Sequence, residues 1–260
     1  LSGPRNKRET DLFHPPVFIS LPAGKVLFAD EVDVSLISMF LQIFSLTLTP
    51  PGLSADAARD LLRFFSTAVS EYTTLHPVGA IHQYPVVQYK EVDGVPTLVG
   101  INEGAAVLAA VGDRISVEAE TYEVQGRDES VREEAFGIAP ELITYEFVTP
   151  WLALNQEQAR TFYTLKGKDR RDGFLQKILV KQIGTFARAV GYTIPAPVSV
   201  TTNLHFQKSR LDGAGVIFFT GTFSVNFFLP ELLGLGRSVP AGFGGVCRRV
   251  VERMAEPGDD

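Results

Sequence analysis

Tyr84-Pro85-Val86-Val87-Gln88-Tyr89-Lys90-Glu91-Val92-Asp93-Gly94-Val95-Pro96-Thr97-Leu98-Val99-Gly100-Ile101 contains two strand-forming runs folded about Asp93-Gly94. Asp-Gly suits a two-residue hairpin turn, whose central positions need left-handed backbone that aspartate tolerates and glycine adopts freely. Upstream, Phe40–Thr49 alternates in its second half and reads as a strand. Pro50-Pro51-Gly52-Leu53 stops it, and Ser54 can cap a helix running from Ala55 to about Tyr72. Downstream, the pattern predicts a short helix over Gly104–Val111 and strands over Ile115–Val124 and Ile143–Val148. Asn155 caps a helix over Gln156–Tyr163, and a longer helix over Asp172–Val190 carries Ile178, Leu179, Ile183 and Phe186 on one face. Strands follow over Val198–Lys208 and Val216–Phe228, with a last strand-like run at Val246–Val251. The order of elements predicts an α+β fold of two tandem ferredoxin-like (RRM-like) halves.

The chain has 260 residues, enough to bury a sizeable core as one large domain or two ordinary ones. Its hydrophobic fraction of 45% and charged fraction of 21% are those of a globular protein. One cysteine, Cys247, excludes an internal disulfide framework and fits a reducing compartment. The sequence shows neither a cationic leader before an apolar run nor a long uncharged span, so a cytoplasmic protein without membrane contact is expected. Leu1–Thr10 is polar and lacks an initiator methionine; it is set aside as a processed, tag-derived or truncated end.

The net charge of −6 argues against nucleic acid only superficially, because phosphate responds to local field. The charges are segregated. Lys166, Lys168, Arg170, Arg171, Lys177, Lys181 and Arg188 fall in one segment, with only Asp169 and Asp172 among them. Glutamates and aspartates dominate from Asp113 to Glu146. Two solvated faces of opposite sign, or a basic RNA-facing surface with an acidic back, both fit.

Near the carboxyl end, Gly234-Leu235-Gly236-Arg237-Ser238-Val239-Pro240-Ala241-Gly242-Phe243-Gly244-Gly245-Val246 places glycines and a cation in one short segment. Glycine lets backbone N–H groups approach an anion closely, and Arg237 adds a charge-assisted donor. A buried crossing or a sharp turn consumes glycine equally well, so composition leaves both uses open.

Five phrases in order carry a family resemblance. They are Tyr84–Lys90, Val99-Gly100-Ile101-Asn102-Glu103-Gly104, Thr149-Pro150-Trp151-Leu152-Ala153-Leu154-Asn155, Phe219-Thr220-Gly221-Thr222-Phe223-Ser224-Val225-Asn226-Phe227, and the glycine segment. Together they resemble the CRISPR RNA-processing endoribonucleases of the Cas-six family, b subtype, within the RAMP superfamily. The resemblance covers about Leu61 to Val246. It implies an unmatched extension over 1–38, an N-terminal ferredoxin-like domain over 39–140, and a C-terminal one over 141–260 carrying the glycine-rich loop. It also implies metal-independent cleavage of CRISPR repeat RNA to guide crRNA, without a cofactor. The alternative is a non-catalytic crRNA-binding subunit of a CRISPR effector complex. Repeat RNA and crRNA are the expected partners; other Cas proteins and a second copy of the chain are further candidates.

In this chemistry the ribose 2′-hydroxyl attacks the adjacent phosphate, so the protein needs proton carriers and cations. The b subtype carries a His-Asn-His-like element between the first helix and the Tyr-Pro phrase. Here that place holds Leu75-His76-Pro77-Val78-Gly79-Ala80-Ile81-His82-Gln83. His76 sits where the first histidine would fall, Pro77 and Val78 break the rest, and His82 is the second candidate. Helix-end and strand-cap roles are the ordinary alternatives for both. Expected RNA contacts are Lys90, the helical face of Lys177, Lys181 and Arg188, the hairpin cations Lys208 and Arg210, and Gly234, Gly236, Arg237, Gly242 and Gly244. Trp151 is expected in the core, Gln88 and Asn226 as strand residues with local hydrogen bonds, and His205 as structural. No cluster at ligand spacing suggests a metal.

Overall fold

The computed structural model describes residues 38–49, 84–109, 114–117, 120–123, 126–211 and 213–249. Among these, strands dominate and helices are few. They are β1 (Ser38–Thr49), β2 (Val87–Val92), β3 (Val95–Ile101), α1 (Glu103–Ala109), β4 (Arg114–Val117), β5 (Glu120–Glu123) and β6 (Gly126–Trp151). Then come α2 (Gln156–Thr164), α3 (Lys168–Ala189), β7 (Val200–Leu211), β8 (Ala214–Phe228) and β9 (Val246–Arg248). The helix expected over Ala55–Tyr72 lies outside the described residues.

The β2–β3 hairpin forms where Asp93-Gly94 places it. Asp93 has φ 52° and Gly94 φ 77°, so both central residues are left-handed and Val92 faces Val95 across the turn. Asn102 follows β3 with φ 50°; its side-chain oxygen accepts the Gln42 N–H at 3.1 Å, tying the start of α1 to β1. The single strand expected over Ile115–Val124 is instead two short ones, β4 and β5, which pair antiparallel from Arg114↔Glu123 to Val117↔Glu120. A tight hairpin keeps the same period-two pattern as one strand, so alternation does not separate them.

Strand β6 organises the rest. Only Ile143–Val148 was expected to be strand, yet β6 runs 26 residues, because it finds a partner along each part of its length. Gly126–Gly137 pairs with β1, and Gly137–Trp151 pairs with β8. The register shifts between Ile138 and Ile143 and between Phe147 and Trp151, around Pro140 and Pro150, which cannot donate to a ladder. Strand β9 pairs with Tyr145–Phe147 on the edge away from β8.

The sheet order is β2-β3-β1-β6-β8-β7, with β9 also on β6. Numbered within each half, this reads 2-3-1-4 for β1, β2, β3 and β6. It reads 4-1-3-2 for β9, β6, β8 and β7. The arrangement is consistent with a double ferredoxin-like architecture, and β6 crosses the boundary expected at residue 140 without a break.

Helix α2 opens with a capping box: Asn155 Oδ1 accepts from the Gln158 N–H at 2.8 Å and the Asn155 N–H donates to Gln158 Oε1 at 2.9 Å. Helix α3 starts four residues before the expected Asp172, because the charged turn Lys168–Arg171 carries no apolar period to mark it. It buries Leu175, Ile178, Leu179, Ile183 and Phe186 against the sheet, in a core with Phe136, Trp151, Phe219 and Phe227. Burying such side chains contributes about 1.5–3 kcal/mol each. Among the described residues, no helix is long and apolar enough to cross a membrane.

Candidate nucleic-acid interface

The glycine-rich segment is held against strand β2 by polar side chains of the Tyr84–Lys90 phrase. Tyr84 donates its hydroxyl to the Gly234 carbonyl. Gln88 accepts the Gly234 N–H at 2.8 Å while its own amide donates to the Pro85 carbonyl at 3.0 Å. Lys90 Nζ donates to the carbonyl oxygens of Val239 at 3.2 Å and Phe243 at 3.3 Å. From β6, Thr149 Oγ1 accepts the Gly245 N–H at 2.7 Å. Tyr89 and Ala241 form a parallel bridge alongside. All of these hydrogen bonds but Gln88–Pro85 join residues far apart in sequence, and those of Gln88 to Gly234, Lys90 to Val239 and Thr149 to Gly245 are buried, where a half-made bond is costly.

Lys90 was expected at a phosphate. Its side chain is 0% exposed, so the ammonium has no face open to an RNA backbone. Gln88 on the same face of β2 is likewise 0% exposed. Burial pushes the Lys90 pKa down from 10.5 to about 7. The neutral amine still has two N–H donors for its two carbonyl partners. Sequence alone gave no sign of this, because the cover over Gln88 and Lys90 comes from residues about 150 positions later.

The glycines serve this packing. A Cβ on Gly234 would overlap the Val239 side chain and come 2.8 Å from Lys90 Nζ. Gly244, at φ 71°, would drive a Cβ into the Leu235 carbonyl oxygen. Many of the segment's backbone donors are already engaged within the fold. The N–H groups of Gly242 and Gly244 donate to the carbonyls of Val239 and Pro150, that of Leu235 to Gly244, and that of Arg237 to Leu152. Of the two uses that composition left open, close packing accounts for Gly234 and Gly244, and for Gly236, which at φ 100° abuts Trp151 in the same way. Gly242 has room for a Cβ against Tyr89, and its φ of 101° is what favours glycine there. Arg237, Ser238 and Ala241 are the exposed residues of the segment; Arg237 is its cation, with one guanidinium nitrogen donating to the Leu154 carbonyl at 3.0 Å.

The remaining expected contacts fall in two groups. Lys177, Lys181 and Arg188 are all exposed on α3 and, at spacings of four and seven residues, share a face. Lys208 and Arg210 are exposed on β7, and Lys208 Nζ lies 4.9 Å from the Tyr163 ring centroid. His205, expected to be structural, is exposed on the same strand. Trp151 is fully buried, donating to Gln182 Oε1 at 2.8 Å, and Asn226 accepts the Ser199 N–H at 2.7 Å. His76 and His82 lie outside the described residues. Among the described residues, no three His, Cys, Asp or Glu side chains are grouped to hold a metal ion.

Comparison with known proteins adds the family. A model of the Cas6b N-terminal domain matches residues 39–135, and one of the Cas6b C-terminal domain matches 137–249. The chain belongs to the Cas6b family. The two Cas6b halves meet inside β6. Uncharacterized protein MJ0978 of Methanocaldococcus jannaschii is 34% identical over 136 residues, 52% of this chain and 91% of that protein. A solved structure of a CRISPR RNA processing endoribonuclease Cas6b aligns with TM-score 0.68 at 26% identity, covering 81% of this chain and all of that one. Another crystal structure of Cas6b aligns with TM-score 0.69 at 24% identity over the same shares, a likeness of fold.

Proposed function

We propose that this Cas6b-family chain is an endoribonuclease that cleaves CRISPR repeat RNA to crRNA. The observation that carries the reading is the match of both Cas6b halves along 39–249, together with the likeness to a solved CRISPR RNA processing endoribonuclease Cas6b. The two halves are read as tandem ferredoxin-like domains, 39–140 and 141–260, sharing β6, with 1–38 as an extension.

In the proposed reaction the 2′-oxygen bonds to the adjacent phosphorus and the bond from phosphorus to the 5′-oxygen breaks. One proton leaves the 2′-hydroxyl and one arrives at the departing 5′-oxygen. The products are a 2′,3′-cyclic phosphate and a 5′-hydroxyl, and the attacking group is the RNA's own, without a metal. His76 is the proposed proton carrier, assisted by His82, because imidazole titrates near the working pH. Arg237, Lys177, Lys181, Arg188, Lys208 and Arg210 are the proposed phosphate contacts, with Arg237 held in place by the packed glycine segment.

One observation favours a second reading, a non-catalytic subunit that retains crRNA: Pro77 and Val78 interrupt the histidine element. End-labelled repeat RNA incubated with the protein and excess chelator separates the two. A cyclic-phosphate product supports the nuclease. Intact RNA held in a salt-sensitive complex supports the subunit, and failure to bind repeat RNA at all refutes both.

A further inference from the structure

Beside the end of α2 and the start of α3, the edge strand β7 closes a cleft of about 420 Å³, lined among others by Lys168, Arg171, His205 and Phe206. Aromatic faces reach solvent in the cleft and at its border: Phe206, in the lining, is 39% exposed, and Tyr163 on α2, beside the lining residue Phe162, is 45% exposed. Phe206 leans on the buried Phe162 ring at 5.4 Å, edge to face, so its orientation is fixed from below. The Arg171 guanidinium lies over both rings, 5.4 Å from the Phe162 centroid and 5.7 Å from that of Phe206. Two residues along β7, on the same face, Lys208 caps Tyr163. The result is a row of flat surfaces, ring and guanidinium, edged by ammonium groups.

We infer that this cleft is a stacking site for an unpaired base of RNA, with flanking phosphates toward Lys168 and Lys208. The inference rests on the RNA-binding reading above and adds a place that neither the glycine segment nor the α3 face supplies. Three features argue for a nucleotide over an apolar partner. Flat π-faces and a guanidinium plane are the surfaces on which bases stack regardless of sequence. The surrounding charge is cationic: Lys166, Lys168, Arg170, Arg171, Lys208 and Arg210 outnumber Asp169 and Asp172, and Asp172 is already paired with Lys168 at 3.9 Å. The cleft also has room for one nucleotide. Such readout favours a base displaced from a helix, because a paired base hides both faces within the stack.

The test steps single abasic sites through the unpaired nucleotides of the labelled repeat RNA and measures affinity for wild-type protein and for Tyr163→Ala and Phe206→Ala. At one position the abasic RNA should bind wild-type protein about 5- to 100-fold more weakly. The same abasic change should then cost the variants little further. Effects that add fully at every position overturn the stacking site while leaving RNA binding intact. Loss of all repeat-RNA binding by wild-type protein overturns the reading beneath it as well. Phe206 packs on buried rings, so Tyr163→Ala, an exposed change on α2, decides the matter should Phe206→Ala fail to fold.

Discussion

Replacing Lys90 by Met removes the buried ammonium while keeping its stem, and the consequence depends on pH in a way that other residues of the segment cannot imitate. The Phe243 carbonyl loses its donor, a cost of about 1–3 kcal/mol for a group left unpaired, while the Val239 carbonyl loses one of two donors and keeps the Gly242 N–H. Against this stands the cost of burying a charge. Lysine titrates at 10.5 when unhindered and Lys90 at about 7 here, so between those values the unfolded chain binds the extra proton. Stability of the wild-type protein therefore rises with pH from about 7 toward 10.5, by up to about 1.4 kcal/mol per unit, and no further gain comes above or below that window. Between about pH 6 and about pH 9 the gain amounts to about 3 kcal/mol. The Met variant lacks it. Urea unfolding of both proteins at each pH should show the cost of Lys90→Met growing by about 3 kcal/mol over that range. A cost that is flat with pH, or one that shrinks as pH rises, refutes the buried-lysine account.

Other outcomes follow from the same geometry. Gly244→Ala should destabilise by more than about 3 kcal/mol, from left-handed backbone and overlap with the Leu235 carbonyl, read by denaturant unfolding. Changing Lys177, Lys181 and Arg188 together to Gln should leave the unfolding midpoint nearly unchanged. It should also lower the slope of log affinity for repeat RNA against log salt by about 2. Replacing His76 by Ala should slow single-turnover cleavage by about 10²–10⁴-fold if it transfers a proton; an unchanged rate would remove it from the mechanism.

Where local chemistry decides a conformation, the sequence was legible. Asp93-Gly94 sets the β2–β3 hairpin through its own backbone preference, and Asn155 with Gln158 sets the start of α2. Strand β6 was not legible at full length, because its exposed Glu129 and Glu133 resemble loop residues until β1 is laid beside them. The glycine segment was recognised as special, yet composition is the same for an anion cradle and a close-packed crossing. Only the contacts with Gln88, Lys90, Thr149 and Trp151 distinguish them. Lys90 illustrates the general difficulty: its period-two position was plain, but the burial that transforms its chemistry is supplied by a segment distant in sequence. The row formed by Tyr163, Arg171, Phe206 and Lys208 was hidden for the same reason, divided among two helices and a strand.

The proposed reaction depends on the RNA providing its own nucleophile. Repeat RNA carrying a single 2′-deoxy sugar at the cleavage position should bind as tightly as the all-ribose RNA and remain uncut, while the all-ribose RNA yields a 2′,3′-cyclic phosphate. Cutting of the deoxy RNA at that position would contradict the account.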